Sequence, residues 1–567
     1  MIRDLARLAG EPHDLLVIGG GIYGACVAWD AALRGLSVAL LEQGDFGQAT
    51  SANSQKIVHG GFRYLQHADL TRMRESIRER RTLLRVAPHL VHPLPMLIPT
   101  YRWGIQHRQI MRAALAIYDL VSWDRNRGQR DPQKRIPRGR VVSRAECLRL
   151  APGLSDRGLT GGAVWHDGQI YNTERLTLAF IRSAAEQGAC AANYVQVTGL
   201  LQQGASVTGV RAIDRLSGRS LEVRGRLVIN TAGPWVNRVL GFADSRRLAL
   251  RLPLSKTVNV ITRPLTNGPA LSVTLPRRDH VNGQDAGERR LYITPWRGWA
   301  IVGSAHRVFT GAPEACQTTE AEIAAFVADI NTAYPGAGLT AEDITFVHVG
   351  LLPCEERDGE VMPAHLARRY QICDHKRAHG VDGFLSVVGV KYTTARDVAQ
   401  KAVTVALKKL GRGPVPPRSA ETALSGGDID NLEAFLAGVL RARPYGLDED
   451  VLRQLVATYG SDYARVLHGL DANPTWRERV APGSPVLKAQ IVYAVREEMA
   501  QRLGDVVLRR TELGTLRHPG MEALKACADL MAEALGWDSG RIARELDETD
   551  AVFTRMGIRR ATAEALA

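Results

Sequence analysis

Residues 14–42, DLLVIGGGIYGACVAWDAALRGLSVALLE, place an apolar strand before the glycines of Gly19-x-Gly21-x-x-Gly24 and a helical pattern after them. Gly19 permits a tight turn, Gly21 lets a phosphate group approach the backbone, and Gly24 lets the helix pack closely on the strand. The unpaired N–H groups at the start of the helix would face that phosphate. The stretch therefore predicts a βαβ unit that binds a dinucleotide.

The same stretch also predicts how this unit ends. Arg34–Gly35 should end the helix, Ser37–Leu41 should form a second strand, and Glu42 follows that strand directly. A carboxylate at this position accepts hydrogen bonds from ribose hydroxyls and repels a 2′-phosphate. We therefore expect Glu42 to bind the ribose of the dinucleotide.

Length and charge set limits on the rest of the chain. At 567 residues it exceeds what one hydrophobic core supports, so two or more domains are expected. The net charge of +14 favours an anionic partner, which leaves nucleic acid, a lipid surface or a phosphorylated substrate. Because we find no nucleic-acid-binding motif, we predict no nucleic-acid partner. An arginine-rich surface without such a partner stays the alternative.

Cysteine usage and hydropathy address metal sites and location. The seven cysteines are scattered and include no Cys-x-x-Cys pair, so we expect reduced packing residues and no metal site. No apolar run is long enough to span a membrane, and the first residues do not resemble a signal peptide. We therefore expect a cytoplasmic protein. Peripheral association with the inner face of the membrane is left open.

The distribution of strand-like and helix-like runs predicts the domain organisation. Strands and helices alternate through residues 14–240, which is typical of a largely parallel sheet. Three strand-like runs without helices between them then predict an antiparallel substrate-side sheet: Val258–Thr262, Arg290–Thr294 and Trp299–Gly303. The predicted fold class is α/β, with a Rossmann-like domain that binds the dinucleotide and an antiparallel β-sheet cap.

The last third of the chain has a different pattern. From Asp428 onward the periodicity is helical, which predicts a C-terminal all-helical domain. Residues 411–419, GRGPVPPRS, carry three prolines and no apolar period, as linkers do. We predict an oxidoreductase domain at 1–410, a linker at 411–427 and the helical domain at 428–567.

Residues 105–123 form a basic amphipathic pattern. Several apolar residues fall on one helical face beside arginines: Ile105, Ile110, Ala114, Ile117, Leu120 and Val121. Such a helix can lie on an anionic membrane surface. It can equally pack this face on the protein core, and both interpretations stay open.

Two passages distinguish FAD from NAD. Residues 49–56, ATSANSQK, and 227–235, LVINTAGPW, resemble segments that run along the flavin in the glycine and D-amino-acid oxidase superfamily. Taken alone, each passage could be a surface turn. The resemblance implies FAD as the cofactor, bound by the following residues: Gly19, Gly21, Gly24, Glu42, Thr50, Ser51, Asn53, Ser54 and Gly233.

Four further passages make the resemblance specific. They are HGGFRYLQ at 59–66, DGQIYNTERLTL at 167–178, VGVKYTTAR at 388–396, and IVYAVREEMAQRLGDVVLRRTELG at 491–514. In order and content they resemble the FAD-dependent glycerol-3-phosphate dehydrogenase family, over about residues 1–520. That family oxidises the secondary alcohol of sn-glycerol 3-phosphate to dihydroxyacetone phosphate. It passes hydride to flavin N5 and electrons onward to quinone or oxygen.

The resemblance also implies roles for individual residues. His59, Arg63, Tyr64 and Lys391 would face the substrate, and Lys391, Thr393 and Thr394 would contact the flavin. A histidine suits the base that an alcohol oxidation needs. Arginine matches phosphate oxygens, and a lysine stabilises developing negative charge. The implied catalytic residues are His59, Arg63 and Lys391.

Three departures from the family pattern put the substrate in question. Leu352 stands where the family has a phosphate-binding arginine, 304–306 read Ser-Ala-His in place of Thr-Thr-Asp, and Val390 replaces a glycine. Loss of a charge-assisted bond to phosphate can cost roughly 2–3 kcal/mol. His306, Arg307 or His348 would compensate, or the substrate is a related polyol or polyol phosphate that contacts Leu352.

Two other functions remain open on the sequence alone. An FAD oxidase of an amine or hydroxy acid would share the superfamily fold and also use cationic residues, although the C-terminal domain argues against it. A catalytically divergent flavoprotein with a binding role would explain Leu352 and the changes at 304–306. The sequence also leaves open a homodimer as the assembly state.

Overall fold

The computed structural model describes residues 1–243, 248–275, 289–357 and 360–555. The strands are β1 His13–Ile18, β2 Val38–Leu41, β3 Ile57–Val58, β4 Val91–Tyr101, β5 Arg140–Ser143, β6 Leu159–Ile170, β7 Cys190–Ala192, β8 Val195–Gln203, β9 Ser206–Asp214, β10 Ser220–Asn230, β11 Leu254–Thr262, β12 Ala270–Leu275, β13 Arg289–Trp296, β14 Trp299–Phe309, β15 Phe346–Arg357, β16 Glu360–Leu366, β17 Gln371–Asp374 and β18 Phe384–Val388. The helices are α1 Leu5–Ala9, α2 Ile22–Leu33, α3 Leu70–Val86, α4 Arg108–Val121, α5 Arg144–Leu150, α6 Thr173–Glu186, α7 Val236–Leu240, α8 Glu320–Ala333, α9 His375–His379, α10 Ala395–Lys409, α11 Leu432–Ala442, α12 Glu449–Tyr459, α13 Tyr463–Leu467, α14 Gly469–Ala472, α15 Lys488–Glu498, α16 Leu503–Asp505, α17 Met521–Leu535 and α18 Ser539–Arg555.

The first sheet holds the predicted dinucleotide unit. Its strand order is β17-β18-β10-β1-β2-β7, and all neighbouring pairs except β17–β18 are parallel. Helices α6 and α10 pack against α2, whose sides are buried almost all round. Burial on several sides explains why β1 and β2 are continuous apolar runs. The predicted helix end at Arg34–Gly35 is confirmed, with Gly35 at φ +76°.

The second sheet forms the cap, and it corrects part of the prediction. Its strand order is β16-β15-β11-β14-β13-β12-β4-β6-β3, with β5 added beside β6, and its pairs are antiparallel except for β12–β4. The three predicted cap strands are confirmed within β11, β13 and β14. The prediction of one largely parallel sheet through 14–240 is wrong, because β3–β6 belong to the cap and β8–β10 form an antiparallel meander. An apolar run alone does not reveal which sheet a strand joins.

The C-terminal region is helical, as predicted, and it packs on the cap. Its helices share a core with residues of the second sheet, where Trp296 and Phe346 meet Phe553 and residues of α15 and α17. Buried ion pairs also join it to the first domain, since Asp45 binds Arg510 at 2.7 Å and Arg509 at 2.6 Å. Residues 411–418 are exposed, whereas Ser419 and Leu424 are buried. The predicted division at 411–427 stays a prediction.

Helix α4 presents two apolar faces. Met111, Leu115 and Tyr118 are buried against the cap. The face predicted from the sequence points outward: Ile110, Ile117 and Leu120 are exposed, together with Trp103 and Trp123 at the two ends of the segment. Helix α4 therefore packs on the core, as one of the two interpretations predicted, and Ala114 and Val121 of the predicted face pack at the edge of that contact. Among the described residues, none of the helices combines the length and apolar character needed to cross a lipid bilayer.

Candidate functional site

A large cleft lies between the carboxyl ends of the first sheet and one face of the cap. The first sheet contributes Gly19, Thr231 and Gly389, which follow β1, β10 and β18. The cap contributes residues of β11, β14 and β15: Thr257, Asn259, Ser304, Gly350 and Leu352. In open α/β sheets, ligands bind outside the carboxyl ends of the strands. The cleft is therefore the candidate active site.

The glycines of the first turn divide into two kinds. A Cβ on Gly24 would lie 1.8 Å from the carbonyl oxygen of Gly19, so this glycine is required by the protein itself. A Cβ on Gly21 would meet, within 4 Å, Ser51 Oγ at 3.2 Å, so the protein leaves this side open. Gly21 is also the N-cap of α2, whose first residues line the cleft. The space beside Gly21 therefore suits a phosphate group.

Glu42 lies at the end of β2, as predicted, and lines the cleft. Its carboxylate accepts hydrogen bonds from the backbone N–H groups of Gly20 at 2.7 Å and Gly44 at 2.9 Å. Burial raises the pKa of Glu42, and these two donors oppose that shift. The backbone bonds fix the carboxylate at the rim, where a ribose hydroxyl can reach it.

The polar loop at 49–56 joins the two sheets. Thr50 Oγ1 donates to the carbonyl oxygen of Leu351 at 3.0 Å and accepts from the N–H of Leu351 at 3.2 Å. Ser51 Oγ accepts from the N–H of Ile22 at the start of α2. Asn53 and Ser54 line the cleft beside them. The loop thus places predicted cofactor contacts between the dinucleotide turn and the cap.

Two buried polar atoms at the cleft have no hydrogen-bond partner among the described residues. They are Gln55 Nε2 and Thr257 Oγ1, which belong to residues that line the cleft. An orphaned buried donor is costly unless a ligand or water completes it. Together with the open space at Gly21 and the left-handed turn at Gly233, φ +55°, they fit a long ligand with phosphate and polar ring edges, such as FAD.

Lys391 lies where this cleft meets the loop at 59–66. Its ammonium lies 4.4 Å from the centre of the Tyr64 ring, and Arg72 lies on the same ring at 4.7 Å. Tyr23 OH fixes the Lys391 backbone, donating to its carbonyl at 2.8 Å. Burial, together with the charge of Arg72, lowers the pKa of Lys391 to about 8. The cation is therefore held in place but weakly solvated.

Two hydrogen bonds hold the HGG turn that carries His59. The N–H of Gly60 donates to Asp167 Oδ1 at 2.6 Å, and the buried Arg80 binds the same oxygen at 2.9 Å. The N–H of His59 donates to Thr393 Oγ1 at 3.3 Å. Burial, with the charges of Lys391 and Arg80, lowers the pKa of His59 to about 3. At neutral pH the imidazole is therefore unprotonated, as a proton acceptor must be.

Arg63 and His306 are near enough for their charges to interact, although neither is among the cleft-lining residues. Arg63 is exposed, and no carboxylate pairs with it among the described residues. Burial, with the charges of Arg289 and Arg63, lowers the pKa of His306 to about 4. His306 Nδ1 lies 3.3 Å from Ser255 Oγ. Arg63 is therefore free to bind an anion that enters from solvent.

Not every predicted residue reaches the cleft. His348 pairs with Asn259 across the cap sheet, but it is buried against Trp296 and Phe346 and is not among the cleft-lining residues. The structure therefore gives no support to His348 as a substrate contact. Thr393 lies beneath His59, and Thr394 caps α10, so neither is among the cleft-lining residues and their flavin contacts stay predictions.

The three departures from the family pattern are all at or beside the cleft. Leu352 lines it and pairs with Ser255 of β11, and Val390 lines it beside Lys391. Ser304 Oγ donates to Asn259 Oδ1 at 2.8 Å. The sequence did not predict Asn259 and Thr257 as cleft residues, because a polar residue in an apolar strand does not by itself show which face of the strand lines the cleft.

Comparison with known proteins matches two family profiles to this chain. The profile described as "FAD dependent oxidoreductase" covers residues 14–395. The profile described as "C-terminal domain of alpha-glycerophosphate oxidase" covers residues 418–542. The two profiles together span the first domain, the cap and most of the helical region.

Relatives and solved structures extend the match. Glycerol-3-phosphate dehydrogenase of Synechocystis is 32% identical over 560 residues, with 96% of this chain and 97% of the relative covered. Glycerol-3-phosphate dehydrogenase 2 of Mycobacterium tuberculosis is 31% identical, with 95% and 88% covered. The FAD complex of glycerol-3-phosphate dehydrogenase from Bacillus halodurans has a TM-score of 0.77 at 24% identity, with 98% of each chain covered. These likenesses confirm the predicted fold class and FAD as the cofactor.

Proposed function

Because the chain belongs to the FAD-dependent glycerol-3-phosphate dehydrogenase family, we propose that it oxidises the secondary alcohol of sn-glycerol 3-phosphate, or a closely related polyol phosphate, to the ketone. The observation that carries this proposal is a cationic cluster that includes the cleft-lining Lys391: its ammonium lies on the ring of Tyr64, and His59 and Arg63 adjoin that ring. Arginine and lysine donors suit a small phosphorylated substrate. FAD, when bound, supplies the hydride acceptor.

The other two requirements of the reaction are binding of negative charge, by Arg63 and Lys391, and acceptance of a proton, by His59. Arg63 binds the phosphate as the substrate enters. The Lys391 ammonium stabilises negative charge that develops on the alcohol oxygen. His59 accepts the hydroxyl proton, and its low pKa keeps the imidazole unprotonated, although the same shift makes it a weak base until a charged ligand raises that pKa.

A second substrate class has one specific observation in its favour. Leu352 presents an aliphatic side chain to the cleft, at the position where the family pattern has an arginine. An apolar side chain there suits a substrate whose end group is uncharged, such as a polyol, or a phosphate ester that carries an added alkyl group. The enzyme class stays the same in both cases, and the difference lies in the contact with the substrate's end group.

The activity assay measures product and acceptor together. Purified holoenzyme is given sn-glycerol 3-phosphate with either a soluble quinone or dissolved oxygen, and dihydroxyacetone phosphate is quantified. We expect product with the quinone and little peroxide with oxygen. Glycerol and sn-glycerol 1-phosphate serve as matched controls, which we expect to react at least about tenfold more slowly, equivalent to 1.4 kcal/mol. Rapid peroxide formation from an amino acid instead would contradict the proposal.

We also propose that the protein docks on an anionic membrane surface through the exposed face of α4, which we name the α4 patch: Trp103, Ile105, Ile110, Ile117, Leu120 and Trp123. Three of these side chains are almost fully solvated, with exposed fractions of 86% for Trp103, 74% for Leu120 and 73% for Trp123. Tryptophan and aliphatic side chains insert at the boundary between head groups and acyl chains. This docking would bring the enzyme to membrane quinone.

Basic residues border the α4 patch. Arg102, Arg112 and Arg127 are exposed around it, and the chain carries a net charge of +14. Each basic residue near an anionic surface contributes about 1 kcal/mol at low salt. The attraction weakens as salt shortens the range of the electrostatic interaction. The apolar stripe would then supply the part of the binding that resists salt.

Vesicle sedimentation tests this docking. Wild type should sediment with phosphatidylglycerol vesicles and much less with phosphatidylcholine vesicles. Trp103→Ser with Leu120→Ser should lower the partition coefficient by about tenfold or more, since two large side chains lose their insertion. Met521→Ser, at an exposed apolar residue of α17 that is 41% exposed, is the matched control. Equal sedimentation of all three proteins would contradict the α4 patch as the docking surface.

A further inference from the structure

A thiol and two imidazoles meet at the edge of the first sheet, outside the cleft. Cys373 lies in β17, and His375 and His379 begin and end α9. His375 Nδ1 lies 3.1 Å from His379 Nδ1 and 3.9 Å from Cys373 Sγ. The three potential ligand atoms all lie within 4.8 Å of one another.

These separations are close to those of a tetrahedral zinc site. With Zn–N near 2.0–2.1 Å and Zn–S near 2.3 Å, two imidazole nitrogens stand ~3.3 Å apart and a sulfur and a nitrogen ~3.6 Å apart. The His375–His379 and Cys373–His375 separations are each within a few tenths of an ångström of that geometry, and the third, Cys373–His379, lies within 4.8 Å and would shorten by up to ~1 Å when the ion binds. Cys373 and His379 are half-exposed, which leaves a path for the ion and a fourth position for water.

The surroundings orient His375 for this role. Its Nε2 lies 2.8 Å from Ser386 Oγ of β18, and the histidine is fully buried. A proton on Nε2 donated to that hydroxyl leaves the Nδ1 lone pair facing the cluster. Metal-binding histidines commonly carry such a partner on the second nitrogen. The paired position of His375 and His379, one helical turn apart, places both rings on one side of α9.

Neighbouring charges are already paired and limit the protein ligands to three. Asp374 accepts from Lys409 Nζ at 2.9 Å and from the N–H of Lys376 at 3.1 Å. Lys376 Nζ in turn binds Asp382 at 2.6 Å. The carboxylate nearest to the cluster is therefore held by its own partners. A set of one thiolate and two imidazoles favours Zn²⁺ over Mg²⁺ or Ca²⁺.

We propose that Cys373, His375 and His379 form a Zn²⁺ site with water as the fourth ligand. The absence of a Cys-x-x-Cys pair led to the prediction of no metal site, whereas the ligands here follow the spacing Cys-x-His-x-x-x-His across a strand end and a short helix. The ion would clamp β17 and α9 to β18, through the His375–Ser386 contact. Since β18 leads directly to Gly389 and Lys391, the clamp supports the backbone of the cleft from outside.

Metal titration of the tag-free holoenzyme tests the site. Zn²⁺ affinity is measured by competition with a chromophoric chelator, and Co²⁺ is added as a spectroscopic probe. We expect one tight Zn²⁺ per chain and, with Co²⁺, a near-ultraviolet thiolate-to-cobalt band with visible absorption of tetrahedral intensity. Cys373→Ser should abolish the thiolate band, and both Cys373→Ser and His379→Ala should weaken Zn²⁺ binding by more than about tenfold.

Cys316→Ser is the matched control, because Cys316 is the other half-exposed thiol among the seven cysteines. This variant should keep the cobalt band and the Zn²⁺ affinity of wild type. Equal flavin absorbance in all variants establishes that the chains are folded, so loss of metal binding is separated from loss of structure. The proposal is overturned if wild type and Cys373→Ser bind Zn²⁺ with the same affinity, or if the thiolate band is absent from wild type.

Discussion

The two sides of the cleft differ in the groups that line them: mainly backbone on the cofactor side and mainly side chains on the substrate side. The cofactor side consists mostly of glycine turns, the start of a helix and one carboxylate from residues 19–54, a single βαβ unit and the loop after it, with further turns at Gly233 and Gly389. The substrate side consists of side chains from separate segments, with His59 and Tyr64 on one loop, Lys391 after β18 and Leu352 on β15. A required backbone conformation restricts the residue types at a position more tightly than a side-chain contact does. The cofactor side therefore follows the family pattern, and the substrate side departs from it.

The largest expected effect is on the cofactor side and concerns the fold itself. Gly24→Ala places a Cβ 1.8 Å from the Gly19 carbonyl, a clash that only backbone movement relieves. Overpacking of this kind costs about 3 kcal/mol or more. We expect little soluble protein, or a large fall in Tm at a fixed scan rate. A Tm equal to that of wild type would show that the turn is looser than described.

Gly21→Val separates cofactor binding from folding. Its side chain meets little of the protein, so the chain should fold, but it fills the space for the pyrophosphate. We expect FAD affinity to fall on the order of 100-fold, or about 2.7 kcal/mol. Flavin absorbance per chain and circular dichroism are the two readouts. Retention of stoichiometric FAD would contradict the assignment of this turn.

Lys391 tests the charge on the substrate side. Removal of a donor to developing negative charge costs about 100-fold in rate, and we expect this from Lys391→Ala with FAD retained. Because the pKa of Lys391 is lowered to about 8, its ammonium is present below that pH and is lost above it. The kcat/KM of the free enzyme should therefore fall as pH rises through 8. Lys391→Arg stays charged and should flatten this fall, and an unchanged profile in that variant would exclude Lys391 as its source.

Leu352→Arg has the smallest expected effect and discriminates between the two substrate classes. If the substrate is glycerol 3-phosphate, the new guanidinium adds a charge-assisted bond and should raise kcat/KM about tenfold, or 1.4 kcal/mol. If an alkyl group of the native substrate contacts Leu352, the same change should lower kcat/KM by leaving a buried charge unpaired. Leu352→Met is the control of similar size. No change with either substrate would place Leu352 outside the binding site.

The sequence predicted the two sides of the cleft unequally well for the same physical reason. The positions of Gly19, Gly21, Gly24 and Glu42 were predictable because they lie within one short unit of regular geometry. Arg63 and His306 come together from segments far apart in the chain, and His348 is buried against Phe346 rather than lining the cleft. The face to which a strand residue points depends on register and on which sheet the strand joins, and the assignment of β3–β6 to the cap was missed for that reason.

Anaerobic reduction of the bound flavin is the most direct test of the proposed oxidation of a polyol phosphate. Holoenzyme is mixed without oxygen or quinone with sn-glycerol 3-phosphate, glycerol, other polyol phosphates or amino acids, and flavin absorbance is followed by stopped flow. We expect rapid bleaching by glycerol 3-phosphate or a related polyol phosphate, and bleaching slowed about 100-fold in Lys391→Ala. Bleaching by an amine or amino acid, with none by any polyol phosphate, would contradict the account.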